Sequence, residues 1–179
     1  MSRLRRPLRT LQALPAPVRW LAAPAALLAC TGAVLLSDGT YQPPLTAPTP
    51  DAKAAALCRT LMGALPPDLL GRSRTTPSPY VAVWPTKPRT VLRCGVPRPK
   101  SLDQHQGDLG PNIDGVQWYL EGDGHGGHRF TLTLHALYVE VAAPAGATPY
   151  PTDALAAVSP AVLATIPDLS GELGDQQDQ

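Results

Sequence analysis

The chain has 179 residues, and its composition and charge limit what it can be. It includes 22 prolines and a single phenylalanine, which leaves room for one domain with one modest core. Prolines spread over the whole length exclude long uninterrupted helices or central strands outside a few windows. The net charge of +1 hides a sorted distribution, because five of the 15 basic residues precede an apolar run and all 14 acidic residues follow it. The part of the chain after the run has ten basic and 14 acidic residues, so it carries a net charge of −4.

The N-terminal segment, residues 1–36, predicts a signal or membrane anchor. Arg3, Arg5, Arg6, Arg9 and Arg19 precede residues 21–36, sixteen positions without a charge. Arginines before an apolar run keep that end in the cytoplasm, so we expect everything after the run to lie on the far side of the membrane. The expected location is the cell membrane, with the N-terminus cytoplasmic or cleaved and the domain extracytoplasmic.

The fate of this segment has three alternatives. The run Leu27-Leu28-Ala29-Cys30 resembles a lipobox, which makes Cys30 a candidate for lipidation. Residues 31–36 remain apolar after Cys30, and counting back to Trp20 or Val18 gives a segment that just spans a bilayer as an uncleaved helix. The third alternative is cleavage and secretion. The sequence leaves all three open.

The rest of the chain divides into a linker, a domain and a tail. Residues 37–50 contain four prolines and small polar residues, which predicts a semi-extended spacer. Residues 51–167 are the predicted extracytoplasmic domain, and residues 168–179 are a polar tail. Asp51 is a helix-capping residue, and apolar residues at helical spacing predict a helix over 51–65 that ends before Pro66 and Pro67.

Strands are predicted in the middle of the domain and a second helix near its end. Proline-bounded apolar runs predict strands over 80–84 and 90–96, and an Asp-Gly turn leads into a third strand over 116–120. The remaining strands are predicted over 128–136, where apolar and polar residues alternate, and over 137–143. Residues 152–166 predict a helix that Pro160 kinks or divides. The predicted fold class is therefore α+β, an antiparallel sheet of about five short strands with two helices on one face.

Cys58 and Cys94 are the two cysteines of the predicted exported domain. In an oxidising compartment an isolated pair is most simply a disulfide. A catalytic redox pair more often has the close CxxC spacing, which these two cysteines lack. We therefore predict a bridge between the first helix and the second strand.

No sequence motif predicts a catalytic, cofactor-binding or metal site. His125 and His128 lie near Asp123, but two glycines separate the histidines and they form no recognised metal-binding motif. We expect ordinary surface histidines there and no cofactor. The alternative is a small envelope hydrolase or metal-dependent enzyme that uses these three residues.

Residues 72–100 carry seven basic residues and no acidic one, and this stretch is the candidate binding face. It is either a solvated surface or a surface that meets anionic head groups or a wall polymer. If the stretch binds a ligand, we expect the binding face to include Lys87, Arg89, Arg93 and Trp118, although the alternative for Trp118 is a partly buried core position. Outside the cytoplasm nucleic acid is not an expected partner. The expected partners are the membrane, through the N-terminal segment, and an envelope protein or an anionic polymer.

Four short motifs occur in a fixed order along the chain. They are Cys58-x-x-Leu61 followed by Leu-Pro, then VLRCGV ending at Val96, then Asp114-Gly115-Val116-x-Trp118, then YVEV ending at Val141. In that order they resemble an uncharacterised family of exported, often membrane-anchored or lipoprotein-like proteins from high-GC Gram-positive bacteria, known only as a domain of unknown function. The resemblance covers residues 57–167. It implies export and makes the paired cysteines look like a family feature, and it supplies no activity or catalytic residue.

The sequence therefore leaves the function unknown, with three hypotheses. The first is a non-catalytic, membrane-anchored extracytoplasmic module of the bacterial envelope that binds a partner or a polyanion. The second is the envelope enzyme described above. The third is a structural accessory of a membrane complex.

Overall fold

A computed structural model describes residues 40–104 and 110–170. The predicted anchor, Cys30 and the polar tail beyond Ser170 lie outside these residues. Within them, no helix is both long and apolar enough to cross a membrane. The elements in chain order are α1 (Ala52–Ala64), β1 (Asp68–Leu69), β2 (Arg72–Ser73), β3 (Thr75–Ser78), β4 (Val81–Trp84), β5 (Thr90–Cys94), α2 (Lys100–Gln104), β6 (Asn112–Ile113), β7 (Val116–Gly122), β8 (His128–Leu132), β9 (Val139–Ala143) and α3 (Asp153–Thr165).

The predicted fold class, α+β with about five short strands, is wrong. The described residues form a mostly-β domain, with a seven-stranded antiparallel sheet, a two-stranded sheet and few helices. The additional strands β1, β2, β3 and β6 are two to four residues long, too short to show an alternating pattern in the sequence. Strand β3 contains Pro77. An edge strand tolerates proline at a position where a backbone N–H would point outward and make no ladder hydrogen bond.

The large sheet has the strand order β3-β4-β5-β9-β8-β7-β6. Strands β3, β4 and β5 follow one another along the chain, and so do β6, β7 and β8. The pairing of β5 with β9, which sets Leu92 opposite Val141, joins these two groups. The turn from β6 to β7 is Asp114-Gly115, with φ of 52° and 85°. Two-residue hairpins favour this sequence because both central residues need positive φ.

Both long helices lie close to their predicted positions. Asp51 caps α1 as expected, because its Oδ1 accepts a hydrogen bond from the backbone N of Ala54 at 2.9 Å. At the other end, the Arg74 guanidinium donates to the carbonyls of Met62 and Leu65, which would otherwise lack helical partners. Pro160 lies inside α3, which continues from Asp153 to Thr165 as one helix.

The main core lies between the helices and one face of the sheet, here called the helix face. It contains buried side chains of both long helices and of the central strands, among them Leu61, Trp84, Trp118, Phe130 and Leu155. The predicted bridge between Cys58 and Cys94 is present, with the sulfur atoms 2.07 Å apart and both residues fully buried. It connects α1 to β5 within this core.

The opposite face of the sheet, here called the strap face, has a different covering. Residues 41–50 have no regular secondary structure and belong to the same compact unit as the domain. Hydrogen bonds from Arg89 and a ring stack between Tyr41 and His125 hold this segment, the strap, on the domain. Residues 41–50 of the predicted spacer are thus part of the domain surface.

Candidate ligand-binding groove

The strap face carries a row of charged side chains across four neighbouring strands. Alternation along β5 directs Leu92 and Cys94 into the main core, so Arg93 lies on the strap face. The row continues on β9, where Glu140 lies opposite Arg93. In the next pair of strands, Glu121 of β7 is opposite Arg129 of β8.

Arg93 and Glu140 form a direct cross-strand ion pair. The Nε and Nη2 atoms of Arg93 lie 3.0 and 2.7 Å from Oε1 of Glu140. Both side chains are largely buried, with exposed fractions of 20% and 12%. A charge-assisted contact of this length fixes the orientation of the guanidinium.

Arg129 connects this pair to Glu121. One of its guanidinium nitrogens is 3.3 Å from Oε2 of Glu121, and its Nε is 3.8 Å from Oε2 of Glu140. Burial lowers the pKa of Arg129, but the hydrogen bond to Glu121 and the charges of both glutamates raise it by more, so that its pKa lies above the ordinary value. Ser101 also donates to Glu121 through its hydroxyl. The four charged residues therefore form one connected network.

The network is the floor of a groove of about 650 Å³. One wall is the strap, through Thr46, Ala47 and Pro48, and the other is the segment from Val96 to Ser101. The second wall supplies two cations at the rim, Arg98 and Lys100. The two walls of the groove therefore come from segments without strand pairing, and each of these segments is rich in proline.

Arg98 is held in place at the rim. Its Nε donates to Oδ1 of Asp103 at 2.7 Å, and its Nη1 donates to the hydroxyl of Tyr138 at 2.7 Å. The hydrogen bond to Asp103, followed by that to Tyr138, raises the pKa of Arg98 above its ordinary value despite slight desolvation. The guanidinium also lies 5.9 Å from the centre of the Tyr138 ring. Arg98 is thus a charged, oriented donor beside the groove.

The cations of the groove are more accessible than its carboxylates. The side chains of Arg129 and Arg98 are 39% and 45% exposed, whereas those of Glu121 and Glu140 are 17% and 12% exposed. Lys100 is exposed as well. At the rim, Arg98 is paired with Asp103, which is 60% exposed. Elsewhere a solute that enters the groove meets the guanidinium of Arg129 and the ammonium of Lys100 before it meets Glu121 and Glu140. This arrangement favours an anionic ligand.

The strap that forms one wall is attached through Arg89 and Tyr41. The backbone N of Arg89 donates to Oε1 of Gln42 at 3.1 Å, and its guanidinium donates to the carbonyl of Pro43. The Tyr41 ring stacks on His125, with the ring centres 4.0 Å apart. Pro43 is buried.

The predicted binding face is only partly assembled. Arg93 lies in the groove floor, Arg89 holds the strap, and Lys87 is exposed in the turn between β4 and β5. Trp118 is fully buried in the main core on the opposite face of the sheet. Trp118 therefore cannot form a surface with Arg93.

Sequence reasoning missed Glu121, Arg129 and Glu140. The signal for Glu140 is a lone acidic residue inside the apolar run from Val139 to Ala143. A charge buried in such a strand needs a partner from a neighbouring strand. Arg129 and Glu121 carry no such signal, because their opposition depends on the register of β7 and β8.

The histidines near Asp123 do not form a metal site in the structure. Oδ1 of Asp123 accepts hydrogen bonds from the backbone N atoms of His125 and Gly127, which makes it a turn-forming residue. His125 stacks on Tyr41, and His128 contacts the edge of Phe130. In residues 40–104 and 110–170, no three histidine, cysteine, aspartate or glutamate side chains gather in a way that could hold a metal ion.

The fold and the groove define a class of protein, a disulfide-bonded mostly-β domain with a charged groove on one face of its sheet. A family model described as "protein of unknown function (DUF3515)" matches residues 20–170. The chain belongs to this family, and the predicted membership in a family of unknown function is confirmed. The comparison with curated proteins found no match, and neither did the comparison with solved structures.

Proposed function

We propose that the chain is a non-catalytic binding module of the bacterial cell envelope, tethered to the membrane by residues 1–36, and that it binds an anionic ligand in the groove. The tether and the extracytoplasmic location are supported by the five arginines that precede the uncharged run. The disulfide between Cys58 and Cys94 is typical of proteins that fold outside the cytoplasm.

The observation that carries the proposal is the partly buried charge network in an open groove. Such a network adds little stability, because replacing a buried ion pair by apolar residues of similar volume is often neutral or stabilising. Another part of the strap face is apolar. There Val81, Val83, Val91 and Ala142 form a small buried cluster. Charges in the groove are therefore better explained by recognition than by folding.

The charge of the ligand follows from the accessibility of the groove residues. Glu121 and Glu140 orient Arg129 and Arg93 and remain largely covered. Arg98 and Lys100 add two cations at the rim. A phosphate or carboxylate group on a flexible chain matches these donors, because its oxygens accept hydrogen bonds from guanidinium groups.

The proposal is tested with the full chain in mild detergent, titrated with inorganic polyphosphate or poly-L-glutamate. The variant Arg98→Gln/Lys100→Gln removes both rim cations. The matched control Lys53→Gln/Arg59→Gln removes two exposed cations of α1, outside the groove. We expect the rim variant to lose affinity by about tenfold for at least one of the two polymers.

The control variant should bind as the unmodified chain does. Equal losses in the two double variants would mean that the polymers sense net charge only, and the proposal would fail. It would also fail if the unmodified chain bound neither polymer more tightly than neutral dextran.

A further inference from the structure

We infer that the strap is part of the binding site and that Arg89 is its positioning residue, so that the attachment of the strap sets the affinity of the groove. This inference rests on the proposed function. Its physical basis is that Thr46, Ala47 and Pro48 form one wall of the groove while their own segment has no place in the sheet. A wall without strand pairing depends on the contacts at its ends to keep its position.

Arg89 supplies the attachment at the first end. It lies just before β5, and it binds the strap through three hydrogen bonds, one to the side chain of Gln42 and two to the carbonyl of Pro43. One donor is the backbone N, so the side chain contributes the two bonds to Pro43. Tyr41 adds the ring stack on His125.

The second end of the strap is fixed by close packing. Gly95 has a φ of 79°, and a Cβ atom built on it would lie 2.7 Å from Cβ of Pro50 and 3.4 Å from Sγ of Cys58. Pro50 therefore lies directly against the backbone that follows β5, beside the disulfide. Glycine is required there because of both the positive φ and the close approach of Pro50.

Between these two ends, most of residues 44–49 are exposed and carry the groove wall. Two prolines in this stretch keep it extended. Few buried contacts and an extended backbone are the features of a segment that opens locally at low free-energy cost. A ligand that needs this wall binds more weakly when the wall is loose, because part of the binding free energy is used to order it.

The experiment compares Arg89→Ala with Lys87→Ala in the full chain, using the same polyphosphate titration. Both changes remove one cation, and the two residues lie two positions apart, but only Arg89 bonds to the strap. We expect Arg89→Ala to lower the affinity by about tenfold, with Lys87→Ala unchanged within about twofold. Arg89→Lys, which keeps the charge and one donor, should recover part of the loss.

A second measurement separates positioning from general damage to the fold. Backbone NMR order parameters should fall at Tyr41, Gln42 and residues 45–47 in Arg89→Ala, while those of β5 and β9 stay as they are in the unmodified chain. Tyr41→Ala removes the stack on His125 at the same end of the strap. If Arg89→Ala does not fold, Tyr41→Ala takes its place in the experiment and should produce the same two changes.

The outcomes distinguish this inference from the proposed function. A loss of affinity in Arg98→Gln/Lys100→Gln, together with unchanged affinity in Arg89→Ala and Tyr41→Ala, overturns the inference and leaves the proposed function standing. Tighter binding in Arg89→Ala also overturns it, because the strap would then be a cover and not a wall. No binding by the unmodified chain overturns both.

Discussion

The two faces of the same sheet have opposite chemistry. On the helix face, Trp118, Phe130 and Leu132 pack against α1 and α3 and are almost completely buried. On the strap face, Arg129, which precedes Phe130, and Glu121, three residues after Trp118, line an open groove. Because successive side chains of a strand alternate between faces, one set of strands supplies both the core and the groove. The comparison indicates that the helix face stabilises the fold and that the strap face is free to serve recognition.

The largest expected effect is on the helix face. Trp118→Ala should lower the free energy of unfolding by about 3 to 5 kcal/mol, because it removes a fully buried indole from the core. Chemical denaturation followed by circular dichroism measures this loss. Leu120→Ala, two residues along β7 with an exposed fraction of 42%, is the control and should cost less than about 1 kcal/mol. Similar losses in both variants would contradict the assignment of the main core.

The next effect concerns the disulfide on the helix face. The bridge closes a segment with a sequence separation of 36, so the chain-entropy model gives it about 3 to 4 kcal/mol of stability. The double variant Cys58→Ala/Cys94→Ala should lose about that amount in thermal or chemical unfolding. Reduced unmodified chain is the control and should resemble the double variant. A double variant as stable as the oxidised chain would show that packing alone holds α1 on β5.

The smallest effect is expected on the strap face, and it sharpens the comparison. Glu140→Gln leaves Arg93 partly buried without its charged partner, which should cost about 1 to 2 kcal/mol after allowance for the exposure of the pair. The double variant Arg93→Val/Glu140→Val removes both charges, and we expect its stability to lie within about 1 kcal/mol of the unmodified chain. Chemical denaturation of the unmodified chain and of the two variants measures these differences.

A double variant that is less stable than Glu140→Gln would contradict this account of the strap face. The ion pair would then be needed for folding, and the argument that the groove charges serve recognition would lose its basis.

The sequence predicted the parts of the fold that have long local patterns. The capped, Ala-rich helix after Asp51 was predicted within one residue at each end, and the strands around Ala82, Leu92 and Val141 were also found. The strand predicted over residues 128–136 is too long, because β8 ends at Leu132 and Leu134 adopts a φ of 58°. Apolar and polar residues continue to alternate there, so the sequence pattern contains no sign of the break.

The candidate site was less predictable than the fold, for two physical reasons. The row from Arg93 to Glu121 exists only through the register of four strands, and β5 meets β9 across 44 intervening residues between Cys94 and Val139. The strap has the composition of a free spacer, and its packing depends on Arg89, which lies 46 residues from Pro43. Trp118 was placed on the binding face because aromatic residues suit both a core and a ligand surface.

The most direct test of the account is to locate the bound polymer. Short-chain polyphosphate is titrated into isotope-labelled full chain in detergent, and the backbone amide shifts are followed by NMR. The account predicts that the largest changes fall on both walls and the floor of the groove, at Thr46, Ala47, Arg98, Lys100 and Thr131. Changes centred on the cations of α1, Lys53 and Arg59, or spread evenly over the basic residues of the surface, would contradict it.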